Sequence, residues 1–477
     1  MGYIYILDNF MKIRNIVKIV FFLCVLNVVV FAEDKKIEQK TNDKLALIDI
    51  IEIALKNNPQ IKEAWLNIDV GDRAYKSQLS ELFPDINGQL SYRRNKTKSD
   101  NNTNRNKTLT PSVSLSYLLF DFGGRTADIM NLKYKLNSIK YDTNDFVQSF
   151  IYQVIESYYT LFSSLANEKA SKEAENSSYE AFKSATLRYN IGLAPLTDKL
   201  QAETSYKQKK LVREKAENTV KIDKAKLNYL LNLSPLDELN LAIPFMDVSK
   251  DDFEANIVNL IETALNNRPD LKSYYETKKA KKAEIYSKTK EWLPSISLQA
   301  SYDRAHDRED RSQPYVDNYN IGITATMPFF TGGYIYNNVA KTKAELNIIN
   351  QKIADLEKNI ELDVWTAYQD FITAKKTYMT SQTLLYSATE TEKTMLGRYK
   401  NGKSSILDLL NAQSDLATAR YEFISAQHNW FITRANLVKA IGQMSLDEIE
   451  KITNASNLDG IAISQMDLTI NNNEVIQ

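Results

Sequence analysis

A stretch near the start of the chain, 54-ALKNNPQIK-62, returns as 264-ALNNRPDLK-272, 210 positions later. Pro84 returns as Pro294 at the same offset, and 188-RYNIGLAPLTDKLQAE-203 as 398-RYKNGKSSILDLLNAQ-413. Between them 119-LFDFGGR-125 matches 328-PFFTGGY-334, with Gly123-Gly124 read against Gly332-Gly333 after a one-residue slip. An offset held across separate landmarks marks a duplicated unit, so whatever one copy folds into must be built twice. The copies span about residues 33–245 and 246–450. 235-PLDELNLAIPF-245 lies between them, and a polar tail, 451–477, follows.

Each copy changes its period along the chain. A short amphipathic segment (45-LALIDIIEIALKNN-58) is followed by a helix that starts after Pro59 and stops before Pro84. Behind each proline the pattern alternates: Ile86, Gly88, Leu90 and Tyr92 between Asn87, Gln89, Ser91 and Arg93, and later Ile296, Leu298, Ala300 and Tyr302. A second alternating run carries Leu109, Val113, Leu115, Tyr117 and Leu119; its counterpart carries Tyr319, Ile321, Ile323, Ala325 and Met327. Period 2 predicts strands, in hairpins of about 85–120 and 295–330. The segments 93-RRNKTKSDNNTNRNKT-108 and 303-DRAHDREDRSQPYVDN-318 read as solvated loops, with contact to anionic lipid headgroups or to a phage as the other readings of the first.

Neither Gly nor Pro occurs from Arg125 to Ile191, or from Tyr334 to Leu396. Runs of that length predict helices of about 100 Å at 1.5 Å per residue. Val147, Ile151, Val154, Tyr158, Leu161 and Leu165 step by 4 and 3, the spacing of a coiled-coil seam. Gly192 and Gly402 supply turns, and Pro195 suits the first turn of a returning helix. Long helical hairpins are therefore expected over about 125–232 and 334–442. The fold class is mainly α with a small membrane β-barrel.

The strands reach about ten residues, enough for a tilted crossing of an outer membrane. Aromatic residues gather at their ends: Phe83, Trp292, Phe120, Phe122, Phe329, Phe330 and Tyr334 on one side, Tyr92, Tyr302, Tyr315 and Tyr319 towards the other. Four strands cannot close a barrel, and lipid tolerates no open edge. Three copies would supply twelve strands around a water-filled lumen.

The remaining features restrict the function. Lys12, Arg14 and Lys18 precede the apolar run 19-IVFFLCVLNVVVF-31, and Ala32 suits a cleavage site, so residues 1–32 read as an export signal with Met11 as a possible start. Leu23 precedes Cys24 where a lipidation signal wants a small residue, which argues against a lipid anchor. With Lys+Arg 60 and Asp+Glu 60 the chain lacks the basic excess of a nucleic-acid binder. One Cys and two His cannot build a Cys/His zinc site. No nucleophile–base set or phosphate loop stands out, so no enzyme activity and no cofactor is expected. His306 and His428 read as surface and packing residues.

The glycine pairs, the unbroken helices and the paired motifs 189-YNIGLAPLTD-198 and 399-YKNGKSSILDLLNAQ-413 resemble the TolC family of outer-membrane efflux and secretion channels. The resemblance implies a homotrimer with a twelve-stranded barrel in the outer membrane, continuous with a periplasmic helical tunnel. Its implied partners are a periplasmic adaptor protein and an inner-membrane pump or exporter, in a tripartite efflux or type I secretion system. It also implies tip residues. Asp408 matches a pore aspartate; three residues on, where a second aspartate is expected, stands Asn411. Tyr399 and Asp198 match a pair that holds the tip closed, and Gly192, Leu193, Gly402 and Ser404 lie in the turns that meet the adaptor. Ser404 stands where the family usually has an arginine, so one closing latch is expected to be missing. The competing reading is a periplasmic or surface coiled-coil protein of structural or adhesive role, whose hairpins pack on each other.

Overall fold

The computed structural model of the chain describes residues 45–99, 102–242, 256–307 and 315–444. The signal segment, Cys24 and the tail from residue 445 lie outside the described residues.

Each copy opens with two short helices, α1 (Leu47–Asn57) and α2 (Pro59–Leu79) in the first, α5 (Ile257–Asn267) and α6 (Pro269–Lys290) in the second. Pro59 and Pro269 take the first helical position, where the missing N–H costs nothing. Asn58 caps α2 by accepting from Gln60 N at 2.8 Å, and its Nδ2 donates to the Leu230 carbonyl at 2.9 Å. One short side chain thus closes two helix ends. In the second copy Arg268 holds the same place, with a forked pair to Asp270 and a further bond to Asp363 at 3.0 Å.

The strands follow: β1 (Asp85–Ser99) and β2 (Asn102–Phe120), then β3 (Ser295–Asp307) and β4 (Val316–Thr326). They form one antiparallel sheet in the order β1-β2-β3-β4. Two expectations change here. The loop expected at 93–108 is mostly strand, paired from Arg93↔Thr108 out to Ser99↔Asn102. Extending the ladder satisfies one more pair of backbone groups per step. The second hairpin ends at Thr326, so Met327 is outside the sheet. Pro328 follows, which cannot donate to a ladder and constrains the residue before it.

The helices α3 (Gly124–Asn190) and α7 (Tyr334–Lys400) have 67 residues each, and the returning α4 (Leu196–Leu230) and α8 (Ile406–Ala440) have 35 each. Both pairs are related by the 210-residue offset. The backbone also corrects the slipped glycine alignment. Gly123 (φ 87°) and Gly333 (φ 83°) are the left-handed N-caps of α3 and α7, preceded by Phe122 (φ 56°) and Gly332 (φ 61°). Phe122 therefore does what Gly332 does, at the usual offset. Pro195 sits at the N-cap of α4, one residue before the expected first turn.

A returning helix covers only half of its long partner. Over its first half α3 packs on α2 and α6, through Thr143 to the Ala64 carbonyl, Asn131 to the Ala280 carbonyl at 2.8 Å and Ser138 to Ser273 at 2.8 Å. Over its second half it packs on α4, where Ser164 donates to the buried Asp223 at 2.5 Å. The main core sits between these regions and joins both copies: Ile151, Val154, Tyr158 and Leu161 of α3 with Ile360, Val364 and Phe371 of α7 and Trp430 of α8. Tyr159 stacks on Phe431 with centroids 4.2 Å apart. Of the expected seam, Leu165 alone is exposed. Among the described residues no helix is long and apolar enough to cross a membrane.

Candidate functional site

Two parts of the molecule bear on function: the sheet and the turns at the opposite ends of the long helices. In the sheet the register carries each face across all four strands. Ile86 lies opposite Leu115, Leu115 opposite Ala300, and Ala300 opposite Ile321. The next row is Gly88, Val113, Tyr302 and Tyr319. The other face carries Asn87, Ser114, Ser301 and Asn320, then Gln89, Ser112, Asp303 and Asn318. One side is an apolar wall and the other a hydroxyl and amide wall. Leu90 is 70% exposed and Ile321 80% exposed within the single chain. Packing inside the protomer does not account for that apolar face. β1 and β4 are each paired on one side only.

At the other end, α3 turns into α4 through Gly192 and α7 into α8 through Gly402, both left-handed (φ 75° and 70°). Each turn closes alike: Leu193 N donates to the Arg188 carbonyl and Lys403 N to the Arg398 carbonyl, both at 2.8 Å. The duplicated Arg-Tyr pairs then diverge. Arg188 reaches across to the second hairpin, where its Nη2 donates to the Tyr399 carbonyl at 2.6 Å and its guanidinium lies 4.4 Å from the Tyr399 ring centroid. Tyr399 is buried with Ala181, Ala185, Ala202, Ile406 and Leu409, a small core that joins both hairpins. Burial pushes the Tyr399 hydroxyl above its ordinary pKa; Arg188 opposes this, and the nearby charge of Asp198 adds to it.

Asp198 lies near enough to Tyr399 for its charge to act on the hydroxyl, and Arg188, absent from the sequence reading, touches Tyr399 directly. Its signal was the repetition of Arg-Tyr at 188–189 and 398–399. Asp408 stands apart and is exposed. It closes a capping box with Ser405: Asp408 N donates to Ser405 Oγ at 3.1 Å, and Ser405 N donates to Asp408 Oδ2 at 3.0 Å. These bonds hold its carboxyl below the usual range. Asn411 lies exposed one turn further along α8. Ser404, at the arginine position, is half-buried, and its hydroxyl has no hydrogen-bond partner. Gly192, Leu193 and Gly402 are exposed at the turns.

Among the described residues no His, Cys, Asp or Glu cluster suits a metal ion. His428 packs between helices, with Nε2 3.2 Å from Thr160 Oγ1.

A sheet greasy on one face and polar on the other, set on unbroken paired helices, defines the class: a wall segment of a membrane channel. Known proteins agree. A family model described as outer membrane efflux protein matches residues 50–233 and 260–443. The outer membrane protein TolC of Escherichia coli is 20% identical, over 86% of this chain and 84% of its own. The toxin and drug export protein A of Aggregatibacter actinomycetemcomitans is 25% identical, over 80% of this chain and 82% of its own. The crystal structure of the Campylobacter jejuni CmeC outer membrane channel superposes with a TM-score of 0.76 at 21% identity, covering 87% of this chain and 90% of that one. The chain belongs to the outer membrane efflux protein family. It is an outer-membrane channel of the efflux and type I secretion kind, extends into the periplasm, and is not an enzyme.

Proposed function

We propose that three copies of this chain close a twelve-stranded barrel and a helical tunnel, and that the assembly is a passive exit duct docked to a periplasmic adaptor and an inner-membrane pump or exporter. The observation that carries this is the pair of complete rows across the sheet. Ile86, Leu115, Ala300 and Ile321 make a band fit for hydrocarbon, and Asn87, Ser114, Ser301 and Asn320 make a lining fit for water. Each open edge would leave backbone groups unpaired in lipid, so β1 of one copy must meet β4 of the next. Twelve strands leave an aqueous bore, whereas eight would be filled by side chains.

The tip is the gate. Asp198 and Tyr399 hold the hairpins together, Asp408 and Asn411 line the constriction, and the turns at Gly192, Leu193, Gly402 and Ser404 contact the adaptor. With Ser404 in place of an arginine, the closed state depends on contacts within the protomer, Arg188 foremost. Three Asp408 carboxylates across a narrow pore would hold cations. The polar bore suits small molecules and unfolded polypeptides alike, and a relative named for both toxin and drug export fits that breadth. Purified full-length protein in detergent should run as a trimer, fractionate with outer membranes and conduct ions in a planar bilayer. A stable, water-soluble monomer without detergent would overturn the reading in favour of a coiled-coil fibre.

A further inference from the structure

We infer that the tip is held by a second arginine–tyrosine clasp, made between copies, in which Arg398 of one copy stacks over Tyr189 of the next and donates to its carbonyl. The inference rests on the trimer reading and goes beyond it, since it names the contact that ties one copy's tip to its neighbour's.

The duplication provides the basis. α3 and α7 are counterparts at the 210-residue offset, as are α4 and α8 and, nearer the sheet, α2 and α6. Inside a copy the repeats meet where α3 packs on α6 and, lower down, on α8. Among the described residues the equivalent pairing, α7 against α2 and α4, is not packed. A head-to-tail ring supplies it, because such a ring repeats one heterologous contact until it closes.

The unpacked edges carry what such a junction covers. Ala280, whose carbonyl accepts from Asn131 of α3, is 2% exposed, whereas its counterpart Val70 is 66% exposed. Glu276, bonded to Asn137, is buried, and its counterpart Leu66 is exposed. Ile155 lies in the main core, and its counterpart Trp365 is exposed. Lys439 of α8 covers the Tyr152 ring of α3 at 5.0 Å; their counterparts, Tyr229 of α4 and Leu362 of α7, are exposed. Residues that touch or are buried where the repeats meet are thus matched by large apolar residues left open on the two edges. A second copy docked in the same register covers them.

The same shift at the tip turns the contact of Arg188 with Tyr399 into one of Arg398 with Tyr189. Tyr399 is 4% exposed and Tyr189 37%. Ile406, packed with Tyr399, is buried, and its counterpart Leu196 is exposed. The turns themselves match: Gly402 N donates to the Tyr399 carbonyl and Gly192 N to the Tyr189 carbonyl, each at 3.0 Å. Arg188 adds a side-chain donor at Tyr399, and among the described residues no side chain donates to the Tyr189 carbonyl. Lys199 lies 5.4 Å from the Tyr189 ring centroid, farther than the 4.4 Å of Arg188 from the Tyr399 ring. Arg398 is exposed, and among the described residues it reaches only the Lys403 carbonyl of its own turn, at 3.5 Å, the edge of hydrogen-bonding range. A planar fork and an open tyrosine therefore stand at the two tips of one protomer, and a ring of copies alternates the two kinds of clasp.

The test co-expresses two full-length chains with different tags, both carrying Cys24→Ser, one with Tyr189→Cys and the other with Arg398→Cys. The detergent-solubilised oligomer is treated with a short bismaleimide and read on a denaturing gel. A hetero-tagged dimer should form. Arg188→Cys and Tyr399→Cys on separate chains should give none, because that clasp lies within a copy. In planar bilayers Arg398→Ala should raise the resting conductance several-fold, and Arg398→Lys less, since a lysine keeps the charge without the fork. An oligomer without the Tyr189–Arg398 product overturns the clasp, as does a conductance in Arg398→Ala equal to the parent's. A hetero-tagged product between Leu362→Cys and Tyr229→Cys then shows that the trimer reading still stands. If the parent runs as a monomer, the trimer reading falls, and this inference with it.

Discussion

Arg188 of the first repeat lies over the Tyr399 ring of the second, its guanidinium carbon 4.4 Å from the ring centroid, and donates to the same residue's carbonyl at 2.6 Å. A second bond reaches the Lys400 carbonyl at 3.3 Å. One side chain thereby ties the two tip turns of a protomer. Arg188→Ala removes the stacking and both bonds, together about 1–3 kcal/mol of tip contact. Single-channel conductance in planar bilayers should rise several-fold. Arg188→Lys keeps the charge without the planar fork and should fall between. A conductance equal to the parent's would remove Arg188 from the gate.

Asp408 sets the second prediction. Its capping box with Ser405 holds its carboxyl below the ordinary range, so the charge persists as pH falls past the usual carboxylate value of about 3.9. Mutual repulsion in a ring of three would act the other way. If the cap dominates, block by a multivalent cation should survive at pH 4.5 and vanish in Asp408→Asn at every pH. The cap's stability contribution has the same sign: present above the unfolded pKa, and lost as pH falls through the lower folded one. Block that disappears already at pH 6 would mean that repulsion wins, and block unchanged in Asp408→Asn would place Asp408 outside the pore.

Gly442 and Gly402 separate backbone strain from crowding. Both have positive φ (72° and 70°), but a Cβ on Gly442 would lie 2.9 Å from both Cα and N of Arg268, whereas one on Gly402 meets nothing within 4 Å. Gly402→Ala should cost about 1–2 kcal/mol, the left-handed penalty alone. Gly442→Ala should cost clearly more, because backbone must move. Thermal melting followed by circular dichroism distinguishes them; equal shifts would show that the Arg268 loop yields freely.

The two faces of β4 should respond differently to charge. Ile321→Lys puts an ammonium against hydrocarbon, at about 2–4 kcal/mol per copy near the midplane. Asn320→Lys puts it in the lumen. The first should reduce the amount of folded trimer recovered from outer membranes. The second should assemble normally and shift ion selectivity towards anions. The reverse pattern would invert the assignment of the faces.

Much of this was legible in the chain because it is local. Pro84 and Pro294, the alternating runs and the breaker-free stretches each act on their own neighbours, so elements and order could be read directly. The misreadings have equally local causes. The polar run 93–108 carried no apolar alternation, yet β1 and β2 continue pairing through it, since a ladder is sustained by the backbone and not by greasy side chains. The glycine pairs were aligned by letter, whereas the structure aligns them by φ, which let Phe122 stand in for Gly332. Arg188 was hidden because its partner lies 211 residues away.

By itself, then, the chain determined its duplication, its two periods and the character of each strand face, because these depend on spacing alone. The tertiary structure decided what meets what. It set the register that joins four short alternations into two continuous walls, and the arginine that links the hairpins. Those outcomes depend on how separate elements come together, and two copies that share a pattern can still present different partners at the same position.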